Sequence, residues 1–196
     1  MMNESTKSFE EIAEGFRAMG VDVSDEVVRQ CHKNFDSLPK EIQSEAEGLE
    51  QDIFATELML GAESQPISGK LYCFSVEVED ISCMAEVFFD GVTSISGGAF
   101  EITDIEKEAV TPEMEESGVY QQKISYRVNG TKYEYDASIQ YDWFDVGVIS
   151  ALNEALASER LDKRLFGDCS SDIMMISYCT KEWAEEFNEK TGFDLH

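Results

Sequence analysis

The sequence predicts an α+β fold, in which N-terminal helices are followed by a mostly antiparallel sheet of about five or six strands with helices packed on one face. Three observations predict this fold. Apolar residues recur at helical spacing in residues 1–62, and the pattern then changes to the alternation that is typical of strands. Asn129-Gly130 stands between two alternating runs and is the strongest short-range signal of a β-hairpin.

Residues 1–62 are predicted to form three helices. Ser8 and Glu11 have the spacing of a capping box at the start of the first helix, and Ser24 is placed to cap the second. Pro39 suits the first turn of the third helix, which is expected to end near Gly61. The apolar faces of the three helices are Phe9, Ile12, Ala13 and Phe16; Val27, Val28, Cys31 and Phe35; and Ile42, Ala46, Leu49, Ile53 and Leu60.

The segment at residues 61–69 (GAESQPISG) has the composition of a linker. A helical unit of about 60 residues is marginal when it stands alone, because it buries too little of its surface. We therefore predict one domain over residues 1–196, with a helical N-terminal segment at residues 1–62 and an α+β core at residues 68–196.

The core is predicted to contain both strands and helices. Asp142 is placed to cap a helix that carries Phe144, Thr180 is placed to cap the last helix, and residues 106–118 are expected to form an acidic surface loop. Strands are predicted at residues 70–78, 100–105, 120–128, 132–141, 164–166 and 173–179, with helices between residues 81 and 97, 142 and 156, and 180 and 192.

The net charge is the main evidence on function. The chain has 41 aspartates and glutamates against 15 lysines and arginines, a formal net charge of −26 over 196 residues. A small domain is soluble at a net charge of about 2 to 8, and the excess weakens the compact state through self-repulsion. Such a charge excludes nucleic acid and anionic lipid as partners and favours a strongly basic protein.

The composition also bears on location. No run approaches the roughly 18 apolar residues of a membrane span, and the first residues, MMNESTKSFEE, lack the apolar stretch of a signal peptide. The five cysteines are scattered and never spaced as CxxC, which indicates reduced thiols and a cytoplasmic protein.

No motif predicts catalysis. The two histidines, His32 and His196, have no partner at the spacing of a triad or a metal site. Glycine-rich phosphate loops are missing, and carboxylate pairs are expected by chance among 41 acidic residues. We therefore predict that the protein is not an enzyme and has no catalytic residue, metal site or cofactor.

The predicted binding surface lies at the end of the first strand and at the corner YDWFD that follows the hairpin. Aromatic side chains rimmed by carboxylates suit a basic partner, whereas Phe144 within the corner is expected to pack onto the sheet. Six residues are predicted to bind the partner protein: Glu77, Glu79, Asp80, Asp142, Trp143 and Asp145.

Three segments carry a resemblance to a known kind of protein: residues 71–84 (LYCFSVEVEDISCM), 128–156 (VNGTKYEYDASIQYDWFDVGVISALNEAL) and 174–192 (MMISYCTKEWAEEFNEKTG). Together with the order of strands and helices, they resemble small uncharacterised bacterial proteins of the polymorphic-toxin immunity type. The resemblance implies a cytoplasmic protein that binds and neutralises a toxin. The resemblance assigns no catalytic residues to this chain.

The leading hypothesis is an acidic cytosolic binding protein, a toxin-immunity or antitoxin-like inhibitor that captures a basic protein partner. Two alternatives remain open. The carboxylate clusters could serve a hydrolase that depends on a divalent metal. The protein could also be a non-catalytic scaffold or regulatory module whose N-terminal helices are the docking element.

Overall fold

The computed structural model of the chain describes residues 7–45, 48–63, 65–77, 84–169 and 172–196. Within these ranges it contains eight helices and six strands in two antiparallel sheets, which confirms the α+β prediction. The helices are α1 Phe9–Ala18, α2 Asp25–Ser37, α3 Lys40–Glu45, α4 Leu49–Ala62, α5 Met84–Ser94, α6 Pro112–Ser117, α7 Val148–Ser158 and α8 Lys181–Thr191. The strands are β1 Leu71–Ser75, β2 Ile102–Lys107, β3 Val119–Val128, β4 Thr131–Gln140, β5 Arg164–Asp168 and β6 Ile173–Cys179.

The six strands form two sheets of three. We call β1-β6-β5 the central sheet and β2-β3-β4 the outer sheet. The central sheet is apolar on both faces, since Tyr72 and Phe74 of β1 belong to one core while Leu71 and Cys73 belong to another. Its middle strand, β6, is buried along all 7 residues. A strand that is covered on both faces has a continuous apolar sequence, and β6 has this pattern.

One core lies between the central sheet and four helices, α1, α2, α4 and α8. Phe16 of α1 is at its centre, with its ring centroid 5.1 Å from that of Phe54, 4.9 Å from Phe187 and 5.5 Å from Phe193. These rings come from both ends of the chain. The predicted N-terminal segment and the last helix therefore share a single core.

The other core lies between the two sheets. Helix α5 contacts β2 and β6, and α7 contacts β4 and β5, so each helix packs against strands of both sheets. The opposite face of the outer sheet carries ion pairs between Arg127 and Asp104 and between Lys132 and Glu134. Helices thus pack on one face of the outer sheet, as expected, whereas the central sheet is covered on both faces.

The local signals at helix and hairpin ends are confirmed. Ser8 and Glu11 form both hydrogen bonds of the capping box, and Ser24 and Thr180 cap α2 and α8. At the hairpin, Asn129 and Gly130 have φ angles of 49° and 87°. Both central residues of a two-residue type I′ turn need positive φ, which explains the Asn-Gly pair.

The structure corrects three boundaries. The predicted third helix is divided into α3 and α4, because Gly48 has a left-handed φ of 80° immediately before α4; Ala46 lies outside the described residues. The predicted loop at residues 106–118 contains α6, which Thr111 caps and which starts with a proline, the residue best suited to a first helical position. Asp142 does not cap a helix, because α7 begins only at Val148.

A bulge explains an irregular spacing in β2. Ile102 and Ile105 both face the core although they are three positions apart, whereas a regular strand repeats every second residue. The pairing with β3 shifts between Thr103 and Glu106, and Asp104 has a φ of 52°. The extra residue restores the apolar face, and it means that the acidic residues of this strand do not alternate regularly.

None of the described helices combines the length and the apolar character that crossing a membrane requires.

Candidate protein-binding site

The predicted aromatic corner, residues 141–145, joins the ends of the two sheets. Trp143 forms two isolated antiparallel β-bridges. One is to Gln140, at the end of β4, and the other is to Glu77, just after β1. The N–H of Phe144 donates to the carbonyl of Val76 at 2.8 Å. Glu77 and Trp143, two of the six predicted binding residues, are therefore held side by side by the main chain.

The side chains of the corner point in different directions. Phe144 packs inward, with its ring centroid 5.6 Å from that of Phe74 and 5.1 Å from that of Phe88, which confirms the prediction for this residue. Trp143 and Tyr141 are 44% and 69% exposed. The corner therefore presents two aromatic side chains to solvent.

A third exposed apolar residue lies beside them. Val119, the first residue of β3, pairs with Gln140 and is exposed. The ring of Tyr141 lies against Gly118, where an added Cβ would be 2.5 Å from a ring carbon. We call Val119, Tyr141 and Trp143 the aromatic patch.

Carboxylates border the aromatic patch on two sides. Asp142 is exposed between the two aromatic residues, and Glu77 is exposed beside Trp143. Short helix α6, which leads into Val119, carries the exposed residues Glu113, Glu115 and Glu116. Exposed aromatic residues and exposed carboxylates therefore occur close together along this part of the chain.

Asp145 has a different environment from the other predicted residues. Its Oδ2 accepts hydrogen bonds from the Tyr135 hydroxyl at 2.5 Å and the Ser138 N–H at 2.7 Å, and its Oδ1 accepts one from the Gly147 N–H at 2.9 Å. The side chain is half-buried. These bonds hold the corner against β4, so the carboxylate orients Trp143 whether or not it also contacts a partner.

Glu77 also lines a cleft of about 500 Å³. The cleft lies between α4 and the adjoining ends of β1 and β6, and it is lined by Asp52, Thr56, Ser75, Glu77, Asp172 and Ile173. Three of these six residues are carboxylates. None of the three forms an ion pair with a lysine or arginine within the described part of the chain.

The pKa of one carboxylate in the cleft is raised. Burial raises the pKa of Asp52, and the negative charges of Asp168 and Asp172 raise it further. A cationic side chain entering the cleft would relieve this repulsion and favour the ionised form. The cleft is thus electrostatically complementary to a lysine or arginine.

The remaining predicted residues, Glu79 and Asp80, lie outside the described residues. Sequence reasoning missed the cleft because Asp52, Glu77 and Asp172 are far apart in the chain. One signal was available: Asp52 and Thr56 are four residues apart and share one face of α4.

Groups suited to catalysis or metal binding are sparse in the described residues. No three histidine, cysteine, aspartate or glutamate side chains among them lie close enough together to hold a metal ion. His32 is on the surface of α2, where its Nε2 is 2.7 Å from Oε1 of Glu10. The hydrogen bond from His32 is the main cause of the lowered pKa of Glu10.

Comparison with family models, curated protein sequences and solved structures finds no match to this chain. The class of protein is therefore defined by the structure alone: an α+β protein with two cores, one on each face of its central sheet, and an acidic, aromatic surface where its two sheets meet.

Proposed function

We propose that this protein is an acidic cytoplasmic binding protein that captures a basic protein partner, as a toxin-immunity or antitoxin-like inhibitor does. The observation that carries the proposal is the pairing of Glu77 with Trp143, because it places an exposed aromatic residue next to a residue that lines an acidic cleft. Aromatic anchors with a polar rim are the usual composition of an interface hot spot.

The charge of the whole molecule supports the same function. A net charge of −26 steers a basic partner toward the protein and raises the association rate by about 10- to 1000-fold at low salt. An inhibitor benefits from this speed because it must reach its target before the target acts. Basic partners of this kind include enzymes that bind polyphosphate substrates.

A cytoplasmic location is supported by the cysteines. Cys31, Cys73, Cys169 and Cys179 are free thiols, and three of them are buried. Burial raises the pKa of Cys73 to about 12, which keeps the thiol protonated and unreactive. Buried thiols with no disulfide role are typical of a reducing compartment.

The direct test uses the product of the reading frame that adjoins this gene, if that product is basic. Binding is measured by surface plasmon resonance between about 0.05 and 0.5 M NaCl, and the association rate should fall by about tenfold or more over that range. A basic neighbour that fails to bind, or binds with a salt-independent association rate, would contradict the proposal.

Matched variants locate the site. Trp143→Ala should raise the Kd by about 30-fold or more, which corresponds to about 2 kcal/mol for a hot-spot residue. Ile42→Ala is the control, because Ile42 is 45% exposed, as Trp143 is at 44%, but belongs to α3. Glu77→Gln should slow association more than Glu189→Gln, which removes an exposed charge from α8. Equal effects of a variant and its control would place the interface elsewhere.

The cleft also provides the test of the metal-dependent alternative. Titration of the protein with Mg²⁺, Mn²⁺ and Ca²⁺ in a calorimeter should show weak binding at many sites, as a polyanionic surface gives. A single stoichiometric site that Asp52→Asn or Glu77→Gln abolishes would favour the hydrolase over the inhibitor.

A further inference from the structure

The outer edge of β4 presents main-chain groups in a defined order. The ladder with β3 pairs Tyr133 with Tyr126 and Tyr135 with Ile124. In an antiparallel ladder, hydrogen-bonded pairs alternate with pairs whose N–H and C=O groups point away from the neighbouring strand. The N–H of Tyr141 donates to Gly118 on the β3 side, whereas the N–H of Ser138 donates to Asp145 on the other side. Odd-numbered residues of β4 therefore bond to β3, and even-numbered residues point outward.

This edge is closed at one end and open at the other. The carboxylate of Asp145 accepts a hydrogen bond from the outward N–H of Ser138. The N–H of Trp143 donates to the outward carbonyl of Gln140 at 3.1 Å. No described residue bonds to the outward main-chain groups of Lys132, Glu134 and Asp136, and all three residues are exposed. The open stretch is therefore residues 132–136.

Another sheet edge in the molecule is already covered. On the outer side of β5, Gly167 and His196 exchange two main-chain hydrogen bonds, each 3.2 Å long. The N–H of Asp194 donates a further hydrogen bond to Oδ2 of Asp168 at 2.8 Å. The chain thus covers β5 with its own C-terminal residues but leaves residues 132–136 of β4 uncovered.

Charged groups lie on both faces of the open edge. On the outer face, Glu134 forms ion pairs with Lys132 at 3.3 Å and Lys123 at 3.8 Å, and Asp136 is paired with Lys123 in the ladder. On the inner side, the hydroxyl of Tyr133 donates to Oε1 of Glu159 at 2.8 Å, and that of Tyr135 donates to Asp145. A strand added here would meet lysines as well as carboxylates on its outer face, so the preference for basic side chains comes from Glu159 on the inner face and from the net charge of −26.

We propose that residues 132–136 of β4 pair with an extended, basic segment of the partner protein, which adds a fourth strand to the outer sheet. This inference rests on the proposed function, because it takes the basic partner from there and adds how the partner binds. In strand addition, main-chain hydrogen bonds supply affinity, and side chains on alternate positions supply specificity. The aromatic patch lies beyond the closed end of the same edge, so one partner could reach both.

A second copy of this chain is the less suitable occupant. Symmetric antiparallel pairing about Glu134 would place Lys132 opposite Asp136 of the other copy, but it would also place two Glu134 side chains opposite each other. Each copy brings a net charge of −26, and this repulsion opposes the pairing. Sedimentation of the free protein should accordingly give a monomer, and a dimer abolished by Glu134→Pro would assign the edge to self-association.

The test uses the full chain and three labelled peptides of about eight residues: alternating lysine and valine, alternating glutamate and valine, and the lysine peptide with every second main-chain nitrogen methylated. Fluorescence anisotropy in about 0.15 M NaCl measures binding. The lysine peptide should bind, and methylation should weaken it by about tenfold or more, because it removes the donors that reach β4.

The outcomes separate the two proposals. If the lysine and glutamate peptides bind equally and methylation weakens both, the edge pairs as inferred but the preference for a basic partner is wrong. If only the lysine peptide binds and methylation has no effect, the surface attracts basic segments but the edge does not pair. Failure of all three peptides to bind overturns the edge-pairing inference.

A pair of variants makes the same test from the protein side. Glu134→Pro removes an outward N–H without removing a bond to β3, and an edge strand tolerates proline at such a position. Glu134→Thr removes the same charge and keeps the N–H. The proline variant should lose at least fivefold more affinity for the lysine peptide than the threonine variant, and equal losses would overturn strand addition. Amide hydrogen exchange shows that both variants are folded, and in the parent protein Glu134 should become protected when the peptide binds.

Discussion

The hydroxyl of Tyr135 donates a 2.5 Å hydrogen bond to Oδ2 of Asp145, and through it β4 holds the segment that leads into α7. Burial and this hydrogen bond raise the pKa of Tyr135 above its usual value, so the hydroxyl remains a donor throughout the physiological range. The same carboxylate accepts two main-chain N–H groups. The Asp145 side chain therefore holds the corner in place together with the main-chain pairing of Trp143 with Glu77 and Gln140.

Removing either member of this pair should reduce stability. Tyr135→Phe loses one hydrogen bond to a charged group and should lower the free energy of unfolding by about 1.5 kcal/mol. Asp145→Ala loses three and should lower it by about 3 kcal/mol. Urea unfolding followed by circular dichroism measures both values. If Asp145 acts by positioning Trp143, both variants should weaken partner binding, whereas weakening by Asp145→Ala alone would indicate a direct contact.

The two tryptophans should respond differently to substitution. Trp183 is half-buried and stacks on Phe187 with a centroid separation of 5.2 Å, whereas Trp143 is exposed at the corner. Trp183→Ala should lower the free energy of unfolding by about 2 kcal/mol, and Trp143→Ala by less than about 1 kcal/mol. Acrylamide should quench the fluorescence of Trp183→Phe, which keeps only Trp143, more strongly than that of Trp143→Phe. The reverse order of quenching would mean that Trp143 is not at the surface.

Neutralising Asp52 should stabilise the protein in a way that depends on pH. Because its pKa is raised in the folded state, the ionised form costs stability at neutral pH, and this cost disappears as the pH falls below the unfolded value of about 3.9. Asp52→Asn should therefore raise the Tm at pH about 7 and leave it unchanged at pH about 3. Asp36→Asn is the control for the general loss of negative charge, because Asp36 is an exposed residue of α2. Equal shifts for the two variants at pH about 7 would contradict the prediction.

Two glycines in helices should give opposite results when replaced by alanine. An added Cβ at Gly15 of α1 would be 2.4 Å from the carbonyl oxygen of Lys190 in α8, while at Gly61 of α4 its nearest neighbour would be a methyl carbon of Val27 at 3.4 Å. Alanine favours a helix over glycine by about 0.5–1 kcal/mol. Gly61→Ala should therefore stabilise the protein by about 0.5 kcal/mol, and Gly15→Ala should destabilise it by about 1–3 kcal/mol because α1 and α8 must separate. Thermal unfolding of both variants gives the comparison, and a stabilised Gly15→Ala would show that the two helices do not need their close approach.

The helix caps and the hairpin could be predicted because they depend on residues close together in the chain. Ser8 reaches only to Glu11, and Asn129-Gly130 determines its turn through its own backbone angles. One error arose where a neighbour in space changed the local pattern. Asp142 has the sequence context of a cap, yet Trp143 forms a bridge with Glu77 and α7 begins only at Val148.

The candidate site, too, could be predicted only in part from the sequence. The sequence identified Glu77 and Trp143 separately, from a strand end and an aromatic corner, but not that they are paired. It did not identify Asp52 or Asp172 as neighbours of Glu77. Charge spacing along one element shows which residues share a face, but it holds no information on which two elements meet.

By itself the sequence determined the α+β class, most helix and strand positions, the Asn-Gly turn and the net charge of −26. These follow from backbone preferences, the periodicity of apolar residues and the count of ionisable groups. Only the tertiary structure decided that the strands form two sheets, that two cores flank the central sheet, and that the acidic cleft adjoins the aromatic patch. Those features depend on which apolar faces bury one another, and burial free energy acts between surfaces regardless of their separation along the chain.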